Sequence, residues 1–198
     1  LARGGDDLSE AIDLLGKAVL INPESPQYQV NYGNALRDDM QLKEARSCYE
    51  EALKIDPGFV GAFSNLGLLC SINGDFDEAI EHFEKALAID PNDFGTLNNY
   101  GSVYVSRRQL DKGIEYFIKA AKNETNNPLI YFNLGRALMR LRKDEDALEM
   151  LGKSLELDNN QPLVISTFAS TLRLMENFVE AEKFTKDALE IFPDNPVL

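Results

Sequence analysis

The chain has 198 residues, of which 44% are hydrophobic, 27% charged and 9% aromatic, a balance that supports a buried core and excludes disordered and collagen-like chains. Acidic residues number 33 against 20 basic ones, for a formal charge of -13, and this repels phosphate backbones, so nucleic acid is not an expected partner. No apolar run approaches the roughly 18 residues that a membrane span needs. Two cysteines, Cys48 and Cys70, form no disulfide framework or metal cluster and suit a reducing compartment. The expected location is cytoplasmic, with a periplasm or an organelle surface as alternatives.

Helical patterning starts at the first residues. The partial first unit keeps only the tail of a first helix, followed by its second helix, which carries Leu8, Ala11, Leu15 and Ala18. Five further helix pairs follow, whose first helices are predicted at 27–39, 60–73, 94–107, 129–141 and 163–175. Pro23, Pro57 and Pro91 stand 34 residues apart, and the same step continues through Thr125 and Asn159 to Pro193. When this column is numbered position 32, position 8 reads Gly33, Gly67, Gly101, Gly135 and Ala169. Position 20 reads Ala11, Ala45, Ala79, Gly113, Ala147 and Ala181, and position 24 holds Leu15, Tyr49, Phe83, Phe117, Leu151 and Thr185. Small and bulky columns thus alternate at helical spacing, as stacked helices require. Within a unit, Gly74 can adopt the left-handed turn conformation and Asp75 can cap the next helix. Asp144 replaces the Leu or Phe of position 17, and Thr125 and Asn159 replace the stopping proline, so the unit 128–161 is expected to be the softest.

These columns resemble the tetratricopeptide repeat family, whose unit of about 34 residues is a helix-turn-helix. The resemblance covers a partial unit at 1–25 and full units at 26–59, 60–93, 94–127, 128–161 and 162–195. It implies one repeat domain of all-α fold, a right-handed superhelix of antiparallel helix pairs that is non-enzymatic and binds partners on its first helices. The chain starts at Leu1 within a helical pattern and stops at Pro196-Val197-Leu198 without a capping helix, so it is expected to be a fragment of a longer polypeptide.

The resemblance directs attention to positions 2, 5, 6, 9, 12 and 13 of each first helix. Position 6 reads Asn31, Asn65, Asn99, Asn133 and Thr167. A carboxamide both donates and accepts, so this ladder can grip the main chain of an extended peptide. It is similar to the asparagine ladder in the repeat domain of O-linked N-acetylglucosamine transferases, and bracing between adjacent helices is the alternative reading. Arg37, Arg136, Arg140 and Arg173 line the same face, with Arg3 one unit earlier, while most carboxylates lie elsewhere. Guanidinium groups suit carboxylates, so an acidic or amphipathic protein segment is the expected partner. Asn34, Ser64, Asn98 and Ser102 make the first half of the groove polar, and Leu129, Phe132 and Leu163 make the later part apolar. The lysines of a chaperone carboxylate clamp are absent from positions 2 and 5.

Catalytic and metal chemistry find no support, and no cofactor is expected. His82, the only histidine, reads as a solvated helix residue, and acid pairs such as Asp77 with Glu81 read as solvated helix faces. The leading function is therefore a protein-interaction scaffold that holds an extended or helical segment in its groove. The alternatives are the substrate-docking arm of a glycosyltransferase-like enzyme, and a structural scaffold of organelle-surface or pilus-assembly type that self-associates through exposed solenoid ends.

Overall fold

The computed structural model describes the backbone of residues 3–193 and the side chains of residues 7–193. The expected contribution of Arg3 to the groove and the tail at 196–198 therefore lie outside the described side chains. The elements in order are α1 (Arg3–Ile21), α2 (Pro26–Asp38), α3 (Leu42–Ile55), α4 (Val60–Asn73), α5 (Phe76–Ile89), α6 (Phe94–Ser106), α7 (Leu110–Asn123), α8 (Pro128–Arg140), α9 (Asp144–Leu157), α10 (Pro162–Leu174) and α11 (Phe178–Ile191). No strand occurs among the described residues. The first helices α2, α4, α6, α8 and α10 begin and end within one residue of their predicted limits. The beginning of the chain differs: α1 is one unbroken helix from Arg3, because Gly4 and Gly5 continue its turns instead of separating a tail from a second helix. Two compact units make up the chain, residues 1–99 and 100–198.

In the first unit, α2 packs on α1, α3 and α4, and α4 packs on α5. Its core holds Val30, Leu36, Tyr49, Leu66 and Leu69, with Ala45, Ala52 and Ala62 fully enclosed. In the second unit α8 packs on α7, α9 and α10, and α10 on α11, around Phe117, Leu134, Leu138, Leu151 and Val164. Position 8 explains the tight pairing. A Cβ built on Gly33 would lie 2.6 Å from Tyr49 Cε1, one on Gly67 2.6 Å from Phe83 Cε1, one on Gly101 2.8 Å from Phe117 Cε1, and one on Gly135 2.8 Å from Leu151 Cγ. Four repeats therefore seat the bulky side chain of position 24 against a bare backbone at position 8. Ala169, the exception at position 8, is matched in its repeat by Thr185 at position 24, which is smaller than its counterparts.

Between the two helices of every full unit, the residue at position 15 is left-handed. These residues are Met40 (φ 62°), Gly74 (φ 87°), Arg108 (φ 61°), Arg142 (φ 59°) and Glu176 (φ 61°). The next N–H donates to a carbonyl five residues back, as from Gln41 to Leu36 (2.8 Å) and from Asp75 to Cys70 (2.9 Å), closing the last turn of the first helix. Asp75 does not cap α5 with its side chain as expected; its main chain makes the junction, its N–H going to Cys70 and its carbonyl accepting from Ala79 at 3.0 Å.

Between units, the acidic residue of position 31 shapes the turn. A side-chain oxygen of Asp56, Asp90, Glu124 and Asp158 accepts the N–H two residues on, each at 2.9 Å. This bond does not need the proline of position 32, so the turns at Thr125 and Asn159 form like the others. Asp144 is buried at 8% exposure; its Oδ2 meets Arg142 Nε at 3.2 Å, while Oδ1 has no partner.

The pairing of positions 8 and 24 makes a test by double mutation. Gly67→Ala gains about 1 kcal/mol of helix propensity, but its methyl meets three atoms of the fully buried Phe83 ring within 2.9 Å, and overpacking costs about 1–3 kcal/mol. Gly67→Ala should therefore destabilise the wild type in urea melts. In a Phe83→Thr background, which reproduces the Ala169 and Thr185 combination, the same change should be neutral or stabilising.

Candidate functional site

On the first unit, the expected binding residues bond chiefly to one another. Arg37 Nη1 donates to Asn65 Oδ1 at 2.9 Å and to Asn34 Oδ1 at 3.4 Å. Its Nε and Nη2 donate to Asp38 Oδ1 at 3.1 and 2.9 Å. Asn34 Oδ1 also accepts from the Tyr49 hydroxyl at 2.9 Å, and burial pushes that phenol up to about 12. Asn65 Nδ2 donates to the Gly61 carbonyl in its own helix at 2.7 Å, and Asn31 Oδ1 accepts from Gln27 Nε2 at 2.7 Å. The rung at Asn65 thus joins α2 to α4 through Arg37. Asn99 is half-buried, while Asn98 is buried at 7% exposure and belongs to the interior face of α6. Sequence spacing could not reveal the Tyr49 bond, because Tyr49 occupies no expected binding position, whereas Gln27, at position 2, reaches Asn31 one turn along its own helix.

The second unit is more open. Ser102 and Ser106 on α6, Phe117 on α7, and Asn133, Arg136 and Arg140 on α8 line a cavity of about 150 Å³. Four of the expected residues, Ser102, Asn133, Arg136 and Arg140, therefore share one wall. Arg136 and Arg140 are exposed, and neither has an ion-pair partner among the described residues. The Arg136 guanidinium lies 5.3 Å from the centre of the Phe132 ring, which orients it. Phe132 departs from expectation: at 6% exposure it packs with Leu151 and Val164 instead of lining an apolar groove, because position 5 of α8 turns toward α9 and α10. Leu129 and Leu163 stay exposed at 51% and 54%. Arg173 is exposed in the last turn of α10, as Arg140 is in the last turn of α8, while Arg37 is half-buried in the last turn of α2. A cation there also complements the helix dipole.

His82 differs from its sequence reading. Its side chain is only 15% exposed, Nδ1 is buried without a partner, and burial lowers the pKa of the imidazole. Around it stand Cys70, Glu78 and Arg46. Arg46 Nη1 donates to Glu78 Oε1 at 3.0 Å and Nη2 to Cys70 Sγ at 3.2 Å. The guanidinium holds the Glu78 carboxyl below its ordinary range, and burial raises the Cys70 thiol. Cys48, buried in the same unit, is pushed up to about 11 by burial alone. The sequence offered no metal set, yet one ligand atom each from Cys70, Glu78 and His82 lies within 4.8 Å of the others.

Helix pairs with a small residue set against a bulky one, a left-handed position 15 and acid-held inter-unit turns define a helical-repeat protein. Tetratricopeptide repeat profiles match residues 26–59, 60–93, 82–115 and 101–162, and the chain belongs to the tetratricopeptide repeat family. It is 36% identical over 77 residues to small glutamine-rich tetratricopeptide repeat-containing protein 2 of Mycosarcoma maydis, a match covering 39% of this chain and 22% of that protein. The chain thus spans about a fifth of that relative's length. Among solved structures, PilF of Pseudomonas aeruginosa superposes with a TM-score of 0.76 at 26% identity, covering 82% of this chain and 74% of that one. A chain of the APC/C hetero-tetramer Cut9-Hcn1 gives 0.85 at 21% identity, over 96% and 38%. YrrB, described as having an unusual peptide-binding site, gives 0.66 at 24% identity, over 94% and 96%. The last two show the shared fold. Tetratricopeptide repeats are protein-interaction scaffolds, and among the described residues no helix is long and apolar enough to cross a membrane.

The Arg37 and Asn65 bond predicts measurable coupling. Asn65→Ala and Arg37→Ala should each lower stability by about 1 kcal/mol, the net worth of a half-buried hydrogen bond. The double mutant should lose less than the sum, by about 0.5 kcal/mol or more, read from urea denaturation. Full additivity would show that the rung braces nothing.

Proposed function

We propose that the chain is a cytoplasmic interaction module that binds an acidic or amphipathic segment of a partner protein on its first helices. One observation carries this reading: on the α6–α8 wall, Arg136 and Arg140 flank a cavity with Ser102 and Asn133 and lack carboxylate partners of their own among the described residues. A carboxylate accepts two parallel N–H bonds from a guanidinium, while the hydroxyl and carboxamide can meet the peptide main chain. Exposed Leu129 and Leu163 supply apolar contact for an amphipathic segment. The peptide-binding site named for YrrB lends support by analogy of fold. The asparagines of the first unit act mainly as braces within that unit.

The test is an array of acidic peptides beside their charge-inverted counterparts, probed with wild type and with Arg136→Glu/Arg140→Glu. Wild type should prefer the acidic set, and the variant should lose about tenfold or more in affinity, with helicity unchanged. Equal binding of both sets, or full retention by the variant, would refute the reading.

Self-association is a second reading, favoured by α11, where Phe178, Val179 and Ile191 are 62%, 83% and 67% exposed. Wild type should then sediment as a concentration-dependent dimer or larger species, and Val179→Glu/Ile191→Glu should be monomeric. A wild type that is monomeric throughout would eliminate it.

A further inference from the structure

We infer that Cys70, Glu78 and His82 form a binding site for a thiophilic divalent metal ion of the zinc class, with the Arg46 guanidinium holding the position that the cation takes. Three observations carry this. Positions 11 and 23 recur in every full repeat, and elsewhere both are apolar or aromatic except for the buried Cys48: Leu36 and Cys48, Tyr104 and Tyr116, Leu138 and Met150, Leu172 and Phe184. Tyr104 and Tyr116, for example, stack with ring centres 5.5 Å apart. Only the pair Cys70 and His82 presents two metal-ligating side chains. The ligand atoms of Cys70, Glu78 and His82 already lie within 4.8 Å of one another. Glu78 and His82 share a face of α5 at i and i+4, so modest rotamer changes can draw three donors toward the roughly 2.0–2.3 Å bonds of a zinc ion.

The third observation is the charge already present. A cation now sits between these groups, since Arg46 reaches Glu78 at 3.0 Å and Cys70 at 3.2 Å. Arg46 also has a second partner: its Nη1 is 3.9 Å from Glu50 Oε1, one turn along α3. Turning to Glu50 would vacate the pocket while keeping the guanidinium paired. On metal entry the Cys70 thiol gives its proton to solvent, so a thiolate and a carboxylate neutralise the divalent ion and the imidazole donates a lone pair. Glu78, 43% exposed at its side chain, leaves the pocket open to solvent on that side, so a water can complete a tetrahedral set. The mixed sulfur, nitrogen and oxygen donors favour zinc over magnesium or calcium.

The experiment is titration of the full chain with cobalt(II) under a phosphine reductant, followed by displacement with zinc(II). A thiolate-to-cobalt charge-transfer band should saturate at one equivalent and vanish on adding zinc. Cys70→Ala should abolish the band, Cys48→Ala should retain it, and His82→Gln should weaken binding by about tenfold or more. Arg46→Gln should tighten binding, because the competing charge is gone. No band, a band that survives Cys70→Ala, or weaker binding in Arg46→Gln would overturn the assignment. If Cys70→Ala loses helicity, the half-buried His82→Gln decides: unchanged affinity in that variant refutes the site.

Discussion

A bulky side chain resting on a bare glycine backbone sets the spacing of the helix pairs from α2–α3 through α8–α9, and other features of the fold depend on that spacing. Because the helix axes can approach closely at Gly33, Gly67, Gly101 and Gly135, the alanines of position 20 pack without voids and are fully enclosed at Ala45, Ala79 and Ala147. The same approach brings the ends of the two helices near enough for a single left-handed residue to join them. Four of those five residues are not glycine, and each such conformation costs about 1 kcal/mol or more. Packing of the pair outweighs the strained joint, which explains why the turn tolerates Met, Arg and Glu where unsupported turns favour glycine.

The fold was legible because its information is written in columns. Small, bulky and proline positions repeat at a constant interval, so one unit corroborates the next, and the helix limits followed to within a residue. What the columns concealed was mostly side-chain partnership across units. Arg37 and Asn65 are 28 residues apart, and Arg46 reaches Glu78 over 32; no local pattern links them, and Arg37 reads as a ligand contact until its partners are known. Phe132 was assigned to the groove on its position, yet the neighbouring Leu151 and Val164 claim it. His82 looked solvated because Glu81 and Glu84 flank it, whereas its enclosure comes from α3 and α4. The turns at Thr125 and Asn159 were expected to loosen because the proline signal is conspicuous, while the acidic residue beside it, present at Asp56, Asp90, Glu124 and Asp158, is the element that closes those four turns.

The two units use the same face of their first helices differently. On α2 and α4 the polar groups satisfy each other, which fixes their orientation but leaves fewer donors for a partner. On α8 neither Arg136 nor Arg140 has an ion-pair partner among the described residues, and Arg136 is oriented by the Phe132 ring. This contrast arises from single substitutions within shared columns. Position 12 carries Arg37 in one unit and Met139 in another, and position 9 carries Asn34 in one and Arg136 in another. Recognition can thus be revised unit by unit while the small and bulky columns keep the scaffold intact.

The contacts that join helices within each unit link elements adjacent in the chain or next but one. A chain organised this way closes only short loops as it folds, so its search is local and fast. Within each unit, among the described residues, contacts are shared between neighbouring helices and not gathered in one knot of distant pairs. Helix pairs can open from an edge inward, each step losing one interface at a time. A partner that straddles several first helices would therefore do more than occupy a surface: it would tie together pairs that otherwise fray independently, and its affinity would be paid back as cooperativity of the scaffold itself.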